Sequence, residues 1–85
     1  MSKILMYTTG YCPYCLAAKS LLVGKGVSFD EIRVDQEPAL RQEMEQRSQR
    51  RTVPQIFIGE THVGGFDELS GLERSGELDS LLAES

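Results

Sequence analysis

Hydrophobic and polar residues occur in blocks along the chain, and the blocks alternate between the periodicities of strands and helices. The first apolar block, Lys3 to Tyr7 (KILMY), is short and unbroken, which is typical of a strand buried on both faces. Val27 to Val34 (VSFDEIRV) predicts a second strand. Between them, apolar residues recur at helical spacings from Leu16 to Val23. These 34 residues therefore predict a βαβ unit with parallel strands and a right-handed crossover.

Proline and glycine mark the ends of this first helix. Pro13 suits the first turn, where its missing N–H would have no partner in any case. Gly24 or Gly26 is a suitable end, because glycine commonly terminates helices. With Pro13 in the first turn, Cys12 occupies the N-cap position.

A second helix is predicted after the second strand. Asp35 and Pro38 should open it, and the basic stretch SQRR, residues 48–51, should end it. Leu40 and Met44 lie four positions apart among polar residues, so this helix has only a thin apolar stripe and is largely exposed.

The last third of the chain predicts a hairpin followed by helical structure. Gln55 to Ile58 and Thr61 to Val63 read as antiparallel strands, because Gly59 and Glu60 suit a two-residue turn. Leucines then recur at helical spacings, with a break at Ser75 and Gly76. The leucines predicted to lie in the core are Leu69, Leu72, Leu78, Leu81 and Leu82.

The order βαβα followed by ββα predicts a two-layer α/β domain. Its mixed four-stranded sheet, flanked by helices, would have the thioredoxin-like fold. With 85 residues the chain should form a single domain over residues 1–85, whose small size allows only an economical core.

Charge is distributed unevenly along the chain, which has a net charge of −4. Residues 1–51 contain eight Lys or Arg against six Asp or Glu, whereas residues 52–85 contain one against seven. Such a balance argues against nucleic acid as a partner. Four arginines could still form a local anion site, although a solvated helix face is the simpler interpretation: Arg41, Arg47, Arg50 and Arg51.

The amino terminus, MSKILMYTTG, has too short an apolar run for a signal peptide or a membrane span. We therefore expect a cytoplasmic protein without a membrane partner. In that reducing compartment, a close cysteine pair is more often catalytic or metal-binding than structural.

The only two cysteines, Cys12 and Cys15, lie three positions apart around Pro13 and Tyr14. A redox cysteine must ionise near neutral pH, and a helix N-terminus favours the thiolate. Cys12 is therefore the predicted attacking nucleophile, and Cys15, one turn further along, is the predicted resolving cysteine. A structural zinc site, which needs four ligands, is disfavoured because the chain offers only two cysteines and the distant His62. A copper-carrier loop is disfavoured by the strand pattern.

CPYC, taken with RTVPQIFIGETHVGGFDEL, residues 51–69, resembles the glutaredoxins, above all the small bacterial dithiol members. The resemblance implies a glutathione-dependent thiol-disulfide oxidoreductase that reduces protein disulfides and glutathione mixed disulfides. It implies glutathione as cosubstrate, no tightly bound cofactor or metal, and disulfide-containing or glutathionylated proteins as substrates of a monomer. It also implies that Pro54 is cis.

The same resemblance implies a glutathione site. Its T-V-P segment would pair with the tripeptide backbone, and its GGFD segment would hold the γ-glutamyl end; the residues concerned are Thr52, Val53, Pro54, Gly65, Phe66 and Asp67. Asp67 could instead only cap a helix. Because Thr9 stands where the family often has a lysine, Arg41 is the predicted partner of the glycine carboxylate, with Gln42 and Arg51 as lesser candidates.

Two other functions remain open. A thioredoxin-like protein reduced by a flavoprotein is one, although the chain lacks tryptophan altogether and GGFD would be unexplained. A carrier of an iron–sulfur cluster, held by Cys12 of two chains and two glutathiones, is the other. Pro13 disfavours the cluster.

Overall fold

The computed structural model describes residues 3–83. Its elements are, in chain order, β1 Ile4–Thr8, α1 Pro13–Gly24, β2 Asp30–Arg33, α2 Pro38–Ser48, β3 Gln55–Ile58, β4 Thr61–Gly64, α3 Phe66–Ser75 and α4 Glu77–Ala83. The strands form one sheet in the order β2-β1-β3-β4. β1 pairs with β2 in parallel, whereas β1 with β3 and β3 with β4 are antiparallel. The predicted mixed four-stranded sheet is confirmed.

Helices cover both faces of the sheet, so the expected two-layer arrangement is wrong and the domain has three layers. The reason is the alternation of side chains along β1 and β3. Met6 and Ile56 belong to a core that includes residues of α1, α3 and α4, whereas Tyr7 and Phe57 point to the opposite face. There they pack with Met44, which represents the thin apolar stripe of α2.

Most predicted elements are present, with shifted ends. β1 extends to Thr8, which is fully buried. β2 is shorter than the predicted Val27 to Val34, because only residues 30–33 pair with β1. Val27 and Phe29 pack against the core instead of joining the ladder.

The predicted hairpin and the break in the last helix are both confirmed. Gly59 has a φ of 60°, which glycine adopts without steric cost, and the two strands meet at Ile58 and Thr61. Helix α3 ends at Ser75 and α4 begins at Glu77, as Ser75-Gly76 predicted. Of the predicted core leucines, Leu69 and Leu78 are fully buried; the others, Leu72, Leu81 and Leu82, are partly buried.

Asp35 does not open the second helix, which is a correction of the sequence-based expectation. The N-cap of α2 is Glu37, followed by Pro38 at the first helical position. The carboxylate of Asp35 accepts hydrogen bonds from Arg33 and from the backbone N–H of Gly10, so it serves the loop before α1.

No helix within residues 3–83 is both long enough and apolar enough to cross a membrane.

Candidate active site

Cys12 is the N-cap residue of α1, as predicted. Its backbone is extended, with φ −98° and ψ 112°, and Pro13 follows in the first turn. The Sγ of Cys12 accepts a hydrogen bond from the backbone N–H of Cys15 at 3.3 Å. Because this N–H belongs to the first turn, where backbone donors lack helical partners, it is placed to stabilise negative charge on the sulfur.

Cys15 has a different environment although it lies only one turn away. Its exposed fraction is 1%, and both cysteines are free thiols. Burial, with a smaller contribution from the hydrogen bond to Cys12, raises the pKa of Cys15 to about 12. Cys15 is therefore protonated at neutral pH, and the two sulfurs are suited to different steps.

Gly10, in the loop before Cys12, is held by Asp35. The Asp35 carboxylate accepts from the Gly10 N–H at 3.2 Å and from Arg33 Nε and Nη2 at 2.9 and 2.8 Å. The Arg33 guanidinium, more than the Gly10 N–H, lowers the pKa of Asp35 to about 2. These contacts consequently connect the loop to the turn that follows β2.

The predicted T-V-P segment faces Cys12, the predicted attacking cysteine. The Val53-Pro54 bond is cis, as the family resemblance implied. The Sγ of Cys12 donates a weak hydrogen bond to the carbonyl oxygen of Val53 at 3.5 Å. A sulfur atom bound to Cys12 would therefore lie beside the backbone of Val53, which belongs to no strand or helix.

A cavity of about 380 Å³ opens next to these residues. It is lined by Tyr14, Arg50, Thr52, Val53, Pro54, Gly65, Phe66, Asp67 and Glu68. All six predicted glutathione-binding residues of the T-V-P and GGFD segments are thus brought together, although the two segments are ten residues apart. A Cβ added to Gly65 would lie 3.4 Å from the Pro54 carbonyl oxygen, so the T-V-P and GGFD segments approach each other closely.

Arg41 is not among the residues that line this cavity. Its Nη1 donates a hydrogen bond to the carbonyl oxygen of Arg51 at 3.3 Å. Of the lesser candidates, Gln42 lines a separate surface depression on α2, and Arg51 Nε lies 3.9 Å from the carboxylate of Glu45. The role of Arg41 toward the glycine carboxylate stays a prediction.

Arg50 and Glu68 also line the cavity. Glu68 was not predicted as a site residue, and Arg50 was considered only as one of four arginines that could form an anion site. Glu68 Oε1 accepts from the Gly65 N–H at 2.6 Å and from Arg50 Nη1 at 3.0 Å. The first contact, followed by the second, lowers the pKa of Glu68. Glu68 stands three residues after the N-cap Gly65, a spacing that could have indicated it, whereas the only sequence signal for Arg50 was the cluster of arginines around it.

Gly64 precedes this cap in a conformation that requires glycine. Its φ is 113°, and a Cβ there would lie 2.6 Å from Glu68 Oε1. A side chain at Gly64 would therefore displace the carboxylate that caps α3.

Arg47 is exposed but is more than a solvated charge. Its guanidinium lies 4.6 Å from the ring centre of Phe57, and its Nη1 donates to the hydroxyl of Tyr7 at 2.8 Å. That hydroxyl donates in turn to Glu43 at 2.6 Å. Arg47 therefore joins α2 to the sheet and does not contribute to the cavity.

Within residues 3–83, no group of three or more His, Cys, Asp or Glu side chains lies close enough together to hold a metal ion. A cluster shared between two chains would need only Cys12 from each, so this finding leaves that alternative open.

Comparison with known proteins identifies the family. The glutaredoxin family model matches residues 4–63. A glutaredoxin from Pseudomonas aeruginosa is 55% identical over 83 residues, which are 98% of this chain and 99% of the relative. The chain belongs to the glutaredoxin family. The predicted resemblance is confirmed, and this glutaredoxin is a thiol-disulfide oxidoreductase of thioredoxin-like fold.

Two further proteins are similar over most of their length. Glutaredoxin 3 of Escherichia coli strain K12 is 52% identical to this glutaredoxin over 82 residues, 96% of this chain and 99% of the relative. The crystal structure of a buckwheat glutaredoxin-glutathione complex superposes with a TM-score of 0.89 at 34% identity, covering 98% of this chain and 78% of the plant chain.

Proposed function

We propose that this glutaredoxin uses glutathione to reduce protein disulfides and glutathione mixed disulfides through its CPYC dithiol. The observation that carries the proposal is the position of Cys12 at the N-terminus of α1, against the Val53 carbonyl, next to the cavity between the T-V-P and GGFD segments. Binding a tripeptide thiol requires three groups close together: an unpaired backbone segment, a helix N-terminus that can bind an anion, and a nucleophilic sulfur.

The reaction begins when the Cys12 thiolate attacks one sulfur of the substrate disulfide. A bond forms from Cys12 to that sulfur, the original disulfide bond breaks, and the leaving thiolate takes a proton from water. If the captured group is glutathione, a second glutathione thiolate attacks it, giving glutathione disulfide and regenerating the Cys12 thiolate. If the captured group is a protein, the Cys15 thiol loses its proton and attacks the Cys12 sulfur of the mixed disulfide, the bond to the substrate sulfur breaks, and the protein leaves as a thiolate that takes up a proton. Two glutathiones then reduce the resulting Cys12–Cys15 disulfide, which gives back the two cysteine thiols and releases glutathione disulfide.

The cavity residues suggest how glutathione binds. The cysteinyl backbone of the tripeptide would pair with Val53, as an added strand does. The α-carboxylate of its γ-glutamyl group would face the N–H groups of Phe66 and Asp67 at the start of α3, and its ammonium would face the Asp67 carboxylate. Arg41 stays the proposed partner of the glycine carboxylate. The similar buckwheat protein, whose structure is a complex with glutathione, supports this use of the fold.

The remaining expectations belong to the same proposal. We propose that this glutaredoxin acts in the cytoplasm as a monomer on disulfide-containing or glutathionylated proteins, without a tightly bound cofactor. The acidic balance of the chain supports the absence of a nucleic-acid partner.

Reduction of hydroxyethyl disulfide tests the proposal, with glutathione, glutathione reductase and NADPH in excess. The wild type should consume NADPH with a rate that saturates in glutathione, and Cys12→Ser should be inactive. Turnover with thioredoxin reductase but not with glutathione would instead support the thioredoxin-like alternative. An absorbance spectrum of freshly purified protein, with visible bands of an iron–sulfur cluster, would support the carrier alternative.

A further inference from the structure

Gln55 is a fully buried polar residue for which the mechanism above has no role. It begins β3, and its exposed fraction is 0%. Buried amides need partners, because an unpaired one loses its hydrogen bonds to water. The Gln55 Nε2 donates to Thr52 O at 2.9 Å and to Thr52 Oγ1 at 3.1 Å, and its Oε1 lies 2.7 Å from His62 Nε2. The amide therefore links β4 to the residue before Val53.

The direction of these hydrogen bonds is determined by Thr52. A backbone carbonyl oxygen can only accept, so the NH₂ group of Gln55 must face Thr52 and its carbonyl oxygen must face His62. The Nε2 of His62 must then carry a hydrogen. With the hydrogen on Nδ1 only, the Gln55 oxygen would face a ring nitrogen lone pair.

His62 is held on the edge strand by its neighbours. It pairs with Phe57 across β3 and β4, and the two ring centres lie 4.9 Å apart. Burial, with a smaller effect of Arg50, lowers the pKa of His62, so the ring is neutral at pH 7. A neutral imidazole has one N–H, and in this geometry the N–H is at Nε2 and donates to Gln55 Oε1.

The chain of contacts ends at the attacking sulfur. Thr52 directly precedes Val53, whose carbonyl oxygen accepts the hydrogen bond from Cys12. Thr52 and Val53 also line the cavity, whereas Gln55 and His62 do not. The hydrogen bonds from Gln55 to the carbonyl and hydroxyl oxygens of Thr52 therefore fix the position of the backbone with which a bound peptide thiol would pair.

We propose that Gln55 and His62 are positioning residues that hold the Thr52-Val53 backbone ready for glutathione. The inference rests on the proposed function, because it assigns the support of that same site. It predicts that losing these hydrogen bonds raises the KM for glutathione and leaves kcat largely unchanged.

Three variants and one control test the inference by steady-state kinetics with glutathione varied. Gln55→Met keeps the length of the side chain but loses the amide, and its KM for glutathione should rise about tenfold, as expected for losing one to two hydrogen bonds. Its kcat should stay within about twofold of the wild type, because binding is lost equally in ground and transition states.

The two His62 variants separate the N–H from the ring. His62→Phe keeps an aromatic ring against Phe57 but cannot donate, and its KM should rise about threefold to tenfold. His62→Gln supplies a side-chain N–H and should return KM to near the wild-type value. Leu78→Val is the control, because Leu78 is a buried core residue of α4 that does not line the cavity, and it should lower Tm without changing KM.

Several results would overturn the inference. They are an unchanged KM in Gln55→Met and His62→Phe, an equal KM in His62→Phe and His62→Gln, or a rise in KM that Leu78→Val shows equally. A wild type with no glutathione-dependent turnover would overturn the proposed function itself, so the two failures are distinguishable.

A measurement on the wild type covers the case in which Gln55→Met does not fold. His62 is the only histidine of the chain, so the imidazole ¹⁵N resonances can be assigned to it directly. At neutral pH they should show the hydrogen on Nε2. A ring with its hydrogen on Nδ1 would overturn the inference.

Discussion

The backbone N–H of Cys15 donates to the Sγ of Cys12 at 3.3 Å, so the first turn of α1 makes one cysteine a hydrogen-bond donor to the other. The same turn leaves Cys12 partly accessible and buries Cys15. The two different roles that we propose for these sulfurs thus follow from their positions, one at the end of the helix and one inside its first turn.

Alkylation should distinguish the two cysteines. At neutral pH, stoichiometric iodoacetamide should label Cys12 and spare Cys15, because Cys15 is buried and its pKa is about 12. Tandem mass spectrometry of the peptide that contains both cysteines gives the labelled position. As a control, Cys12→Ser should react slowly when folded and promptly in urea. Prompt labelling of the folded Cys12→Ser protein would show that burial does not protect Cys15.

Replacing Cys15 should separate the two proposed reactions. A glutathione attached to Cys12 can be removed by a second glutathione, whereas release of a protein substrate gains from a resolving thiol at high effective concentration. Cys15→Ser should therefore keep deglutathionylation, accumulate a Cys12-glutathione adduct visible by mass spectrometry, and lose most activity on protein disulfides. Loss of both activities in a folded protein would contradict Cys12 as the sole nucleophile.

Asp67 and Glu68 are adjacent carboxylates for which we expect opposite phenotypes. The hydrogen bond that caps α3 comes from Glu68, which accepts from Gly65 N–H, so the capping role considered for Asp67 belongs to its neighbour. Asp67→Ala should cost ~1–3 kcal/mol of glutathione binding if its charge-assisted hydrogen bond to the ligand ammonium is lost, with little change in Tm.

Glu68→Gln is the matched variant. It removes the charge that faces Arg50 and weakens the cap, so it should lower stability by roughly 0.5–1 kcal/mol in urea unfolding. Its KM for glutathione should change less than that of Asp67→Ala. The reverse pattern, with Asp67→Ala less stable and kinetically unchanged, would return the capping role to Asp67.

Asp35 should make the loop before Cys12 sensitive to acid. Its pKa is lowered from 3.8 to about 2, so the folded state favours the carboxylate. For a lowered pKa, the added stability is present above the unfolded value and is lost as pH falls toward the folded value, here from about 4 to about 2.

Asp35→Asn should therefore reduce the loss of stability between pH 4 and pH 2, measured by urea unfolding at each pH. Part of the acid sensitivity should remain, because the pKa values of Glu31 and Glu68 are also lowered. An Asp35→Asn protein with the full wild-type slope would show that the ionisation of Asp35 does not contribute to the pH dependence of stability.

Local signals in the sequence determined the elements and the reactive pair. Pro13, one residue after Cys12, predicted the N-cap position because helix starts depend on a few neighbouring residues. The break at Ser75-Gly76 was predictable for the same reason. The T-V-P and GGFD segments were found through family resemblance, since their function does not follow from hydrophobic periodicity.

Tertiary structure decided what depends on residues distant in the chain. Residues 27–29 have the composition of a strand but find no pairing partner on β1, so they pack as irregular chain. Helix α2 covers the second face because Tyr7 and Phe57 point there from neighbouring strands.

The fine geometry of the site is likewise tertiary. The contacts of Asp35 with Gly10, of Arg50 with Glu68 and of Cys12 with Val53 join residues 25, 18 and 41 positions apart. The local sequence shows which side chains and backbone groups could form these contacts. The pairs form only when the sheet brings together the loops that precede α1, β3 and α3. The sequence by itself thus determined the N-cap cysteine and its helix, and folding decided which side chains surround it.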